Sequence, residues 1–365
     1  MYQWLAFARK FDWLLTAAVL FLIFFGLLMM YSFGLNDPAS HYILFKKQLL
    51  FAVVGLILYA LVANMNHRIW QTFSKLIYWL FALVLILVVL FGRTINGTTG
   101  WLQIAGFGLQ PVEFAKVAVV IFLAKYFSQY AREFFLWRHV IISGASVLLI
   151  VGLILLQPDL GSAMVILASW ILMLLIVGVK KSHLATILII FVVVALAGWL
   201  WVLQPYQKQR IITFVNPQSD PLDRGYNVRQ SIIAVGSGQL IGRGYALGSQ
   251  SQLHFLPEPE TDFIFAVIGE EFGLVGITLI LLAYAAILYR LTVIANKTRD
   301  NYAAYYCLGL GAVLLVQIFI NVGMNMGIAP VTGIPLPFLS AGGSSMIAIL
   351  IALAMVNNMG AENRN

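Results

Sequence analysis

The ionisable residues of this chain are few, and those able to act together stand at the edges of apolar stretches. Asp262 closes the polar run HFLPEPETD and opens the apolar run FIFAVIGEEFG. Glu113 and Lys116 lie three apart in LQPVEFAK, a spacing that puts both on one helical face within pairing distance. Asp159 sits in the tight turn QPDLGS, and Lys208 and Arg210 in YQKQRI. Trp101 lies just ahead of LQPVEFAK, and Ser344 follows the glycine pair of FLSAGGSS. Carboxylates set beside cations at the border of an apolar region suit a cavity for a polar, anionic, lipid-linked molecule. These residue types do not by themselves name a reaction.

The elements that must position these residues are transmembrane helices. Of 365 residues, 61% are hydrophobic and only 10% charged, with a mean hydropathy of +0.92. Soluble domains carry about 25% charged residues. Apolar runs read as spans at about Trp13–Tyr31, Gln48–Asn64, Lys75–Phe91, Val112–Phe127, Val140–Leu156, Ser162–Val179, Leu184–Leu203, Asp262–Tyr289, Ala303–Gly327 and Gly342–Val356. The expected fold is an all-α polytopic membrane protein of about ten helices. Residues 1–365 form one integral-membrane domain, with one long loop, 204–261, between helices seven and eight. The first span has no small-residue cleavage site before it and reads as a retained anchor.

Basic residues orient the chain. Arg9, Lys10, Arg68, Lys75, Arg138, Lys180, Lys181 and Arg290 flank one set of ends, whereas the opposite short loops carry Lys46, Lys47 and Arg93. By the positive-inside rule both termini are cytoplasmic and 204–261 is extracytoplasmic. Glu113, Asp159, Glu258, Glu260 and Asp262 then share the outer side with Lys116, Lys208 and Arg210.

Each candidate also has a plain structural role open to it. Asp262 falls in the first turn of a helix that Thr261 can cap, where a carboxylate complements the dipole. Pro257 and Pro259 hold the approach extended. At helical spacing Asp262, Ala266, Gly269 and Gly273 form a small face against which a neighbour can pack closely. Glu113 and Lys116 can simply neutralise one another, since a lone embedded lysine costs about 3 kcal/mol. Asp159 is placed to cap the next helix. Trp101 is an interface anchor or a platform for a sugar or lipid, and Lys208 and Arg210 belong to a basic loop suited to anionic headgroups.

Three further segments set limits. VRQSIIAVGSGQLIGRG is too short and polar to span and reads as an interfacial or re-entrant helix. Glu270 and Glu271 lie about 12 Å along the helix from Asp262, so at least one faces protein or is protonated. GIAPVTGIPLPFLSAGGSS cannot be a continuous helix at membrane depth and must be buried or line a cavity. No glycine motif for a nucleotide cofactor is present, and the net charge of +8 is spread over membrane loops, so it does not indicate nucleic acid. The single cysteine, Cys307, excludes an internal disulfide.

LQPVEFAK, QPDLGSA, YQKQRI, LHFLPEPETDFIFAVIGEEFG and TGIPLPFLSAGGSS, in this order, resemble the SEDS family (shape, elongation, division, sporulation) over essentially the whole chain. The short tails and QLHFLPE favour its elongation branch. Gly100 and Ala341 depart from the family pattern, where arginine and tyrosine are common. The resemblance implies a peptidoglycan glycosyltransferase that polymerises lipid II at the outer face of the cytoplasmic (inner) membrane during elongation and shape maintenance. It implies Asp262 as catalytic base or metal ligand, with Trp101, Glu113, Lys116, Asp159, Lys208, Arg210 and Ser344 around the substrate. A divalent cation, magnesium or manganese, would help carry the pyrophosphate charge. The implied partners are a class B penicillin-binding protein and other membrane proteins of the elongation machinery. Two other readings are a lipid II transporter, or flippase, and a non-catalytic scaffold.

Overall fold

In lipid every backbone polar group must be bonded within the protein, so long apolar runs can only be helices. The computed structural model describes residues 12–36, 38–95, 98–104, 107–202, 208, 212, 224–253 and 255–362. The first half of the chain forms α1 (Trp13–Asn36), α2 (Pro38–Ala63), the short α3 (His67–Thr72) and α4 (Ser74–Phe91). A small antiparallel sheet follows, β1 (Arg93–Ile95), β2 (Thr98–Ile104) and β3 (Phe107–Leu109), in the order β1-β2-β3. Next come α5 (Pro111–Tyr130), α6 (Trp137–Leu155), α7 (Leu160–Val177) and α8 (Lys181–Ala197), which ends in a wider turn, Gly198–Val202. The second half holds α9 (Arg224–Ser237), the single-turn α10 (Ser249–Gln252), α11 (Ile264–Lys297), α12 (Asn301–Asn325) and α13 (Gly343–Glu362).

Among the described residues eight helices are long and apolar enough to cross a membrane: α1, α2, α4, α6, α7, α11, α12 and α13. The chain is a polytopic, predominantly helical membrane protein. The two remaining expected spans are present as helices but differ in kind. α8 has 17 residues, and α5 carries Glu113, Lys116 and Lys125. α5 can hold these charges because it is central, packed against α4, α6, α12 and α13 with most of its side chains buried. The sheet is an addition to the all-α expectation. It covers the loop before α5 and is tied to the α6–α7 turn by Thr99 N donating to Gln157 O at 3.3 Å.

The helix expected to run unbroken from Asp262 differs at both of its landmarks. It begins at Ile264, so Thr261 and Asp262 precede it. It also breaks at Gly273, which takes φ 63° and ψ −158°, a conformation open to glycine alone. The break strands backbone groups, and the segment after α9 takes them up in both directions. Arg243 N donates to Glu270 O at 2.9 Å and Gly244 N to Glu271 O at 3.1 Å. In return Leu274 N reaches Gln239 O at 2.9 Å and Val275 N reaches Leu240 O at 3.1 Å.

This exchange docks residues 224–253 onto α11. α9 packs along α11, and its loop meets that helix nine residues in, about 14 Å from its start. The small face admits this segment rather than another spanning helix. A Cβ on Gly269 would stand 3.2 Å from Val235 Cα, and one on Gly238 would stand 1.8 Å from Gly269 O.

Glu270 and Glu271 are absorbed at the same place. Both are buried. The Glu270 carboxylate accepts from the amides of Gln250 and Ser251, at 2.8 and 3.1 Å, and from the Ser251 and Ser249 hydroxyls. Glu271 Oε1 accepts from Ser32 Oγ at 2.9 Å and Gln252 Nε2 at 3.2 Å. These carboxylates hold α10 and α1 to α11; they face protein, and neither lines the cavity described next.

Candidate functional site

A cavity of about 440 Å³ opens among the ends of four long helices. Gln110 before α5, Asp159 before α7, Asp262 before α11 and Gly342–Ser345 at the start of α13 all line it. Each of these is an N-terminus, so the positive ends of four helix dipoles converge there. Such ends favour negative charge, which accounts for Asp159 and Asp262 beside them.

Asp262 stands in a turn built by backbone, not by the extended approach that Pro257 and Pro259 suggest. Glu258 adopts φ 46°, and its carbonyl accepts from the amides of Thr261 and Asp262, both at 3.2 Å. The turn is then tied to the rest of the protein at three successive carbonyls. Ala341 N donates to Glu260 O at 2.8 Å, and Ser340 Oγ to Thr261 O at 2.6 Å. Asn321 and Asn325 both donate to Asp262 O, at 3.3 and 3.0 Å.

Capping of α11 does not fall to Thr261 or Asp262. The residue before the helix is Phe263, and the Ala266 amide is met by Asn325 Oδ1 at 3.2 Å. Asn321 and Asn325 are one turn apart on α12, with buried Gln317 a turn deeper, and the two asparagines face the Asp262 turn. Sequence reasoning passed over these residues, although three amides at helical spacing in an apolar span were their visible signal.

The other expected site residues divide into two groups. Trp101, Asp159 and Ser344 line the same cavity as Asp262. Asp159 also caps α7, its Oδ1 accepting from Ser162 N at 2.9 Å. Ser344 Oγ accepts from Gln110 N at 2.9 Å, which joins the start of α13 to the start of α5. Glu113 and Lys116 pair as their spacing requires, with Nζ 2.9 Å from the carboxylate and both residues 3% exposed. They do not line the cavity; they lie beneath it, a turn or more along α5 from Gln110. Lys208 is half-buried over the Trp199 ring, 5.9 Å from its centroid, and does not line the cavity either. Arg210 lies outside the described residues.

Glu258, expected on the outer side with the other acids, lines the cavity; Thr332 and Ser345 line it too and were not singled out from the sequence. The segment after α12 was expected to line a cavity, and it does so with Val331, Thr332, Gly333 and Pro335. Among the described residues no three acidic, histidine or cysteine side chains gather closely enough to hold a metal ion. The donor set therefore does not form a protein-built metal cage. It leaves single carboxylates, which suffice only for an ion whose other ligands are phosphate oxygens and water.

With this geometry the chain can be set beside known proteins. The family model covering FtsW, RodA and SpoVE, described as cell cycle protein, matches residues 12–365. The chain belongs to this family. It is the SEDS family that the sequence motifs resemble. Among its relatives is stage V sporulation protein E of Bacillus subtilis, 36% identical over 365 residues and covering 97% of this chain and 98% of that protein. Peptidoglycan glycosyltransferase RodA of Treponema pallidum is 33% identical, covering 96% of this chain and 98% of its own. A solved structure described as the structural coordination of polymerization and crosslinking by a peptidoglycan synthase complex superposes with a TM-score of 0.81 at 29% identity. It covers 97% of this chain and 98% of that chain. The SEDS positions that depart here have a structural reading. Ala341 contributes its amide to Glu260 O, which any residue except proline supplies, and a Cβ at Gly100 would stand 3.3 Å from Gln157 Oε1.

Proposed function

We propose that this chain is an enzyme, a peptidoglycan glycosyltransferase that polymerises lipid II into glycan strands. The observation that carries the proposal is the Asp262 turn. One carboxylate is held at the mouth of a cavity by three consecutive backbone carbonyls, in a chain whose relatives are named for this activity.

The chemistry asks little of the protein. A hydroxyl of the acceptor sugar attacks C1 of the donor sugar. The new O–C1 bond forms as the bond from C1 to the pyrophosphate breaks, and the electron pair leaves on the phosphate oxygen. Asp262 takes the hydroxyl proton, a step typically worth about a factor of 10² to 10⁴. Helix N-termini turned toward the cavity stabilise the negative leaving group. A magnesium or manganese ion, with Asp262 as its one protein carboxylate, would supply further positive charge at the pyrophosphate.

The surrounding biology follows the same reading. The basic-residue asymmetry puts both termini in the cytoplasm and the cavity at the outer face of the cytoplasmic membrane. The likeness to peptidoglycan glycosyltransferase RodA and to the rod shape determining protein RodA supports a role in cell elongation and shape, and the likeness to a peptidoglycan synthase complex supports a class B penicillin-binding protein as the transpeptidase partner. The transporter reading fits less well, because the lining residues cluster at one end of the helices rather than along a path through them. The direct test is polymerisation of lipid II by the purified protein with its transpeptidase partner in liposomes. Transfer of lipid II across the bilayer without glycan formation would replace this proposal with the transporter.

A further inference from the structure

The cavity wall is chemically divided. Asp159, Glu258 and Asp262 supply acceptors, and no described lining residue is a lysine, arginine or histidine. At the start of α13 the wall supplies donors instead. Met346 N is the first amide of this helix to find a carbonyl, Gly342 O at 2.9 Å. The amides of Gly343, Ser344 and Ser345 precede it and have no acceptor within the helix. α13 has 20 residues, so its N-terminus carries a full dipole.

Two hydroxyls give the second, independent sign. Ser345 Oγ is buried without a hydrogen-bond partner in a residue only 4% exposed. Thr332 Oγ1 is likewise unpartnered in a residue 8% exposed. Both residues line the same cavity. Buried hydroxyls left unmatched destabilise a protein, so their retention points to a partner that arrives from outside. Ser344 differs from its neighbour, because its oxygen already accepts from the Gln110 amide.

We infer that the start of α13, with Ser345 and Thr332, is the subsite for the phosphate oxygens of the polyprenyl diphosphate that carries the sugar. The inference rests on the glycosyltransferase reading and deepens it. Phosphate oxygens only accept hydrogen bonds, and this wall can donate to them from the amides of Gly343, Ser344 and Ser345 and from the Ser345 and Thr332 hydroxyls, with no carboxylate of its own to repel them. Sugar hydroxyls, which also donate, belong with the carboxylates. The subsite adjoins the proposed base: a Cβ on Gly333, the residue after Thr332, would stand 3.7 Å from Asp262 Oδ2. That places the leaving group and the base within one substrate's length.

The test uses the full chain in nanodiscs of neutral lipid, with Thr332→Val, Ser345→Ala and the double variant. Binding of undecaprenyl pyrophosphate, undecaprenol and inorganic pyrophosphate is measured, together with thermal unfolding of the ligand-free protein. The double variant is expected to bind undecaprenyl pyrophosphate at least about tenfold more weakly, with undecaprenol unaffected. Its ligand-free form is expected to melt no lower than wild type, because the lost hydroxyls had no partner. Unchanged diphosphate affinity overturns the subsite, as does an equal loss for undecaprenol. A lowered melting temperature with unchanged binding shows the hydroxyls to be structural and also overturns it. Adding phosphatidylglycerol separates the sources of phosphate: if it displaces undecaprenyl pyrophosphate at equal concentration, the site takes lipid headgroups generally and the assignment to substrate falls. Binding without polymerisation by wild type would instead remove the glycosyltransferase reading and leave the subsite standing.

Discussion

Asn325 grips the residue proposed as catalytic and the helix behind it with one side chain. Its Nδ2 donates to Asp262 O at 3.0 Å, and its Oδ1 accepts from Ala266 N at 3.2 Å. Ser231 Oγ adds a bond to the Asn325 backbone carbonyl at 2.8 Å, so α9 is fastened at the same point. Replacing Asn325 with leucine keeps the volume and removes both polar ends. The expected result is a stability loss of about 1–3 kcal/mol from the groups left unmatched, read by thermal unfolding. A fall in kcat for lipid II should exceed any change in KM, because Asn325 touches the turn and not the substrate. A change confined to KM would contradict this positioning role.

Asp262→Asn is expected to insert and fold normally. The ties to the turn engage carbonyls of residues 260–262, and these persist in the variant. Polymerisation should nonetheless drop by about 10² to 10⁴, the usual span for a lost general base. The assay is glycan-strand formation with the partner's transpeptidase blocked and divalent ion saturating. Activity within a fewfold of wild type would sink the catalytic assignment.

The Glu113–Lys116 pair is buried, so breaking it strands a charge. Glu113→Gln or Lys116→Met alone is expected to cost about 3–5 kcal/mol, and the double variant no more than either single one. A double-mutant cycle on melting temperature and on polymerisation measures the coupling. Additive losses would show two unrelated residues. Because the pair lies beneath the cavity floor, the stability readout should move at least as far as the activity.

Gly273→Ala tests the break in α11. A Cβ there would stand 2.4 Å from Gly242 N and 2.7 Å from Leu240 O, at a positive φ that alanine resists. The expected outcome is loss of monodisperse protein on size exclusion. Gly311→Ala in α12 is the control, since its Cβ would meet only Leu291 Cδ1 at 3.7 Å. Equal yields from the two variants would mean that the break is dispensable.

Local signals were legible and distant ones were not. The spans follow from composition, the Glu113–Lys116 pair from three-residue spacing and the Asp159 cap from the turn before α7. Thr261 was misread as a cap because the rule looks only at neighbours. The helix starts later, at Ile264, and the side chain that meets an amide of its first turn is Asn325, 59 residues from Ala266. The break at Gly273 was hidden for the same reason. FAVIGEEFGLVGI reads as an uninterrupted apolar helix, and the groups that repair the break come from residues 239–244. The sheet at 93–109 was passed over because the surrounding hydropathy suggested only loop and helix. A particular role within the family is not written in the site, since stage V sporulation protein E and peptidoglycan glycosyltransferase RodA both match over nearly the full chain.

The Asp262 turn is gripped by carbonyls, and every amino acid has one. The side chain at 260, which does not line the cavity, is thus at liberty to drift over generations while the turn keeps its address, and position 341 need retain only an amide to hold the turn. Ser340, Asn321 and Asn325 have no such liberty, because there the side chain itself is the fastener. Natural variation around the site should accordingly gather on the held strand of chain and be scarce on the residues that hold it.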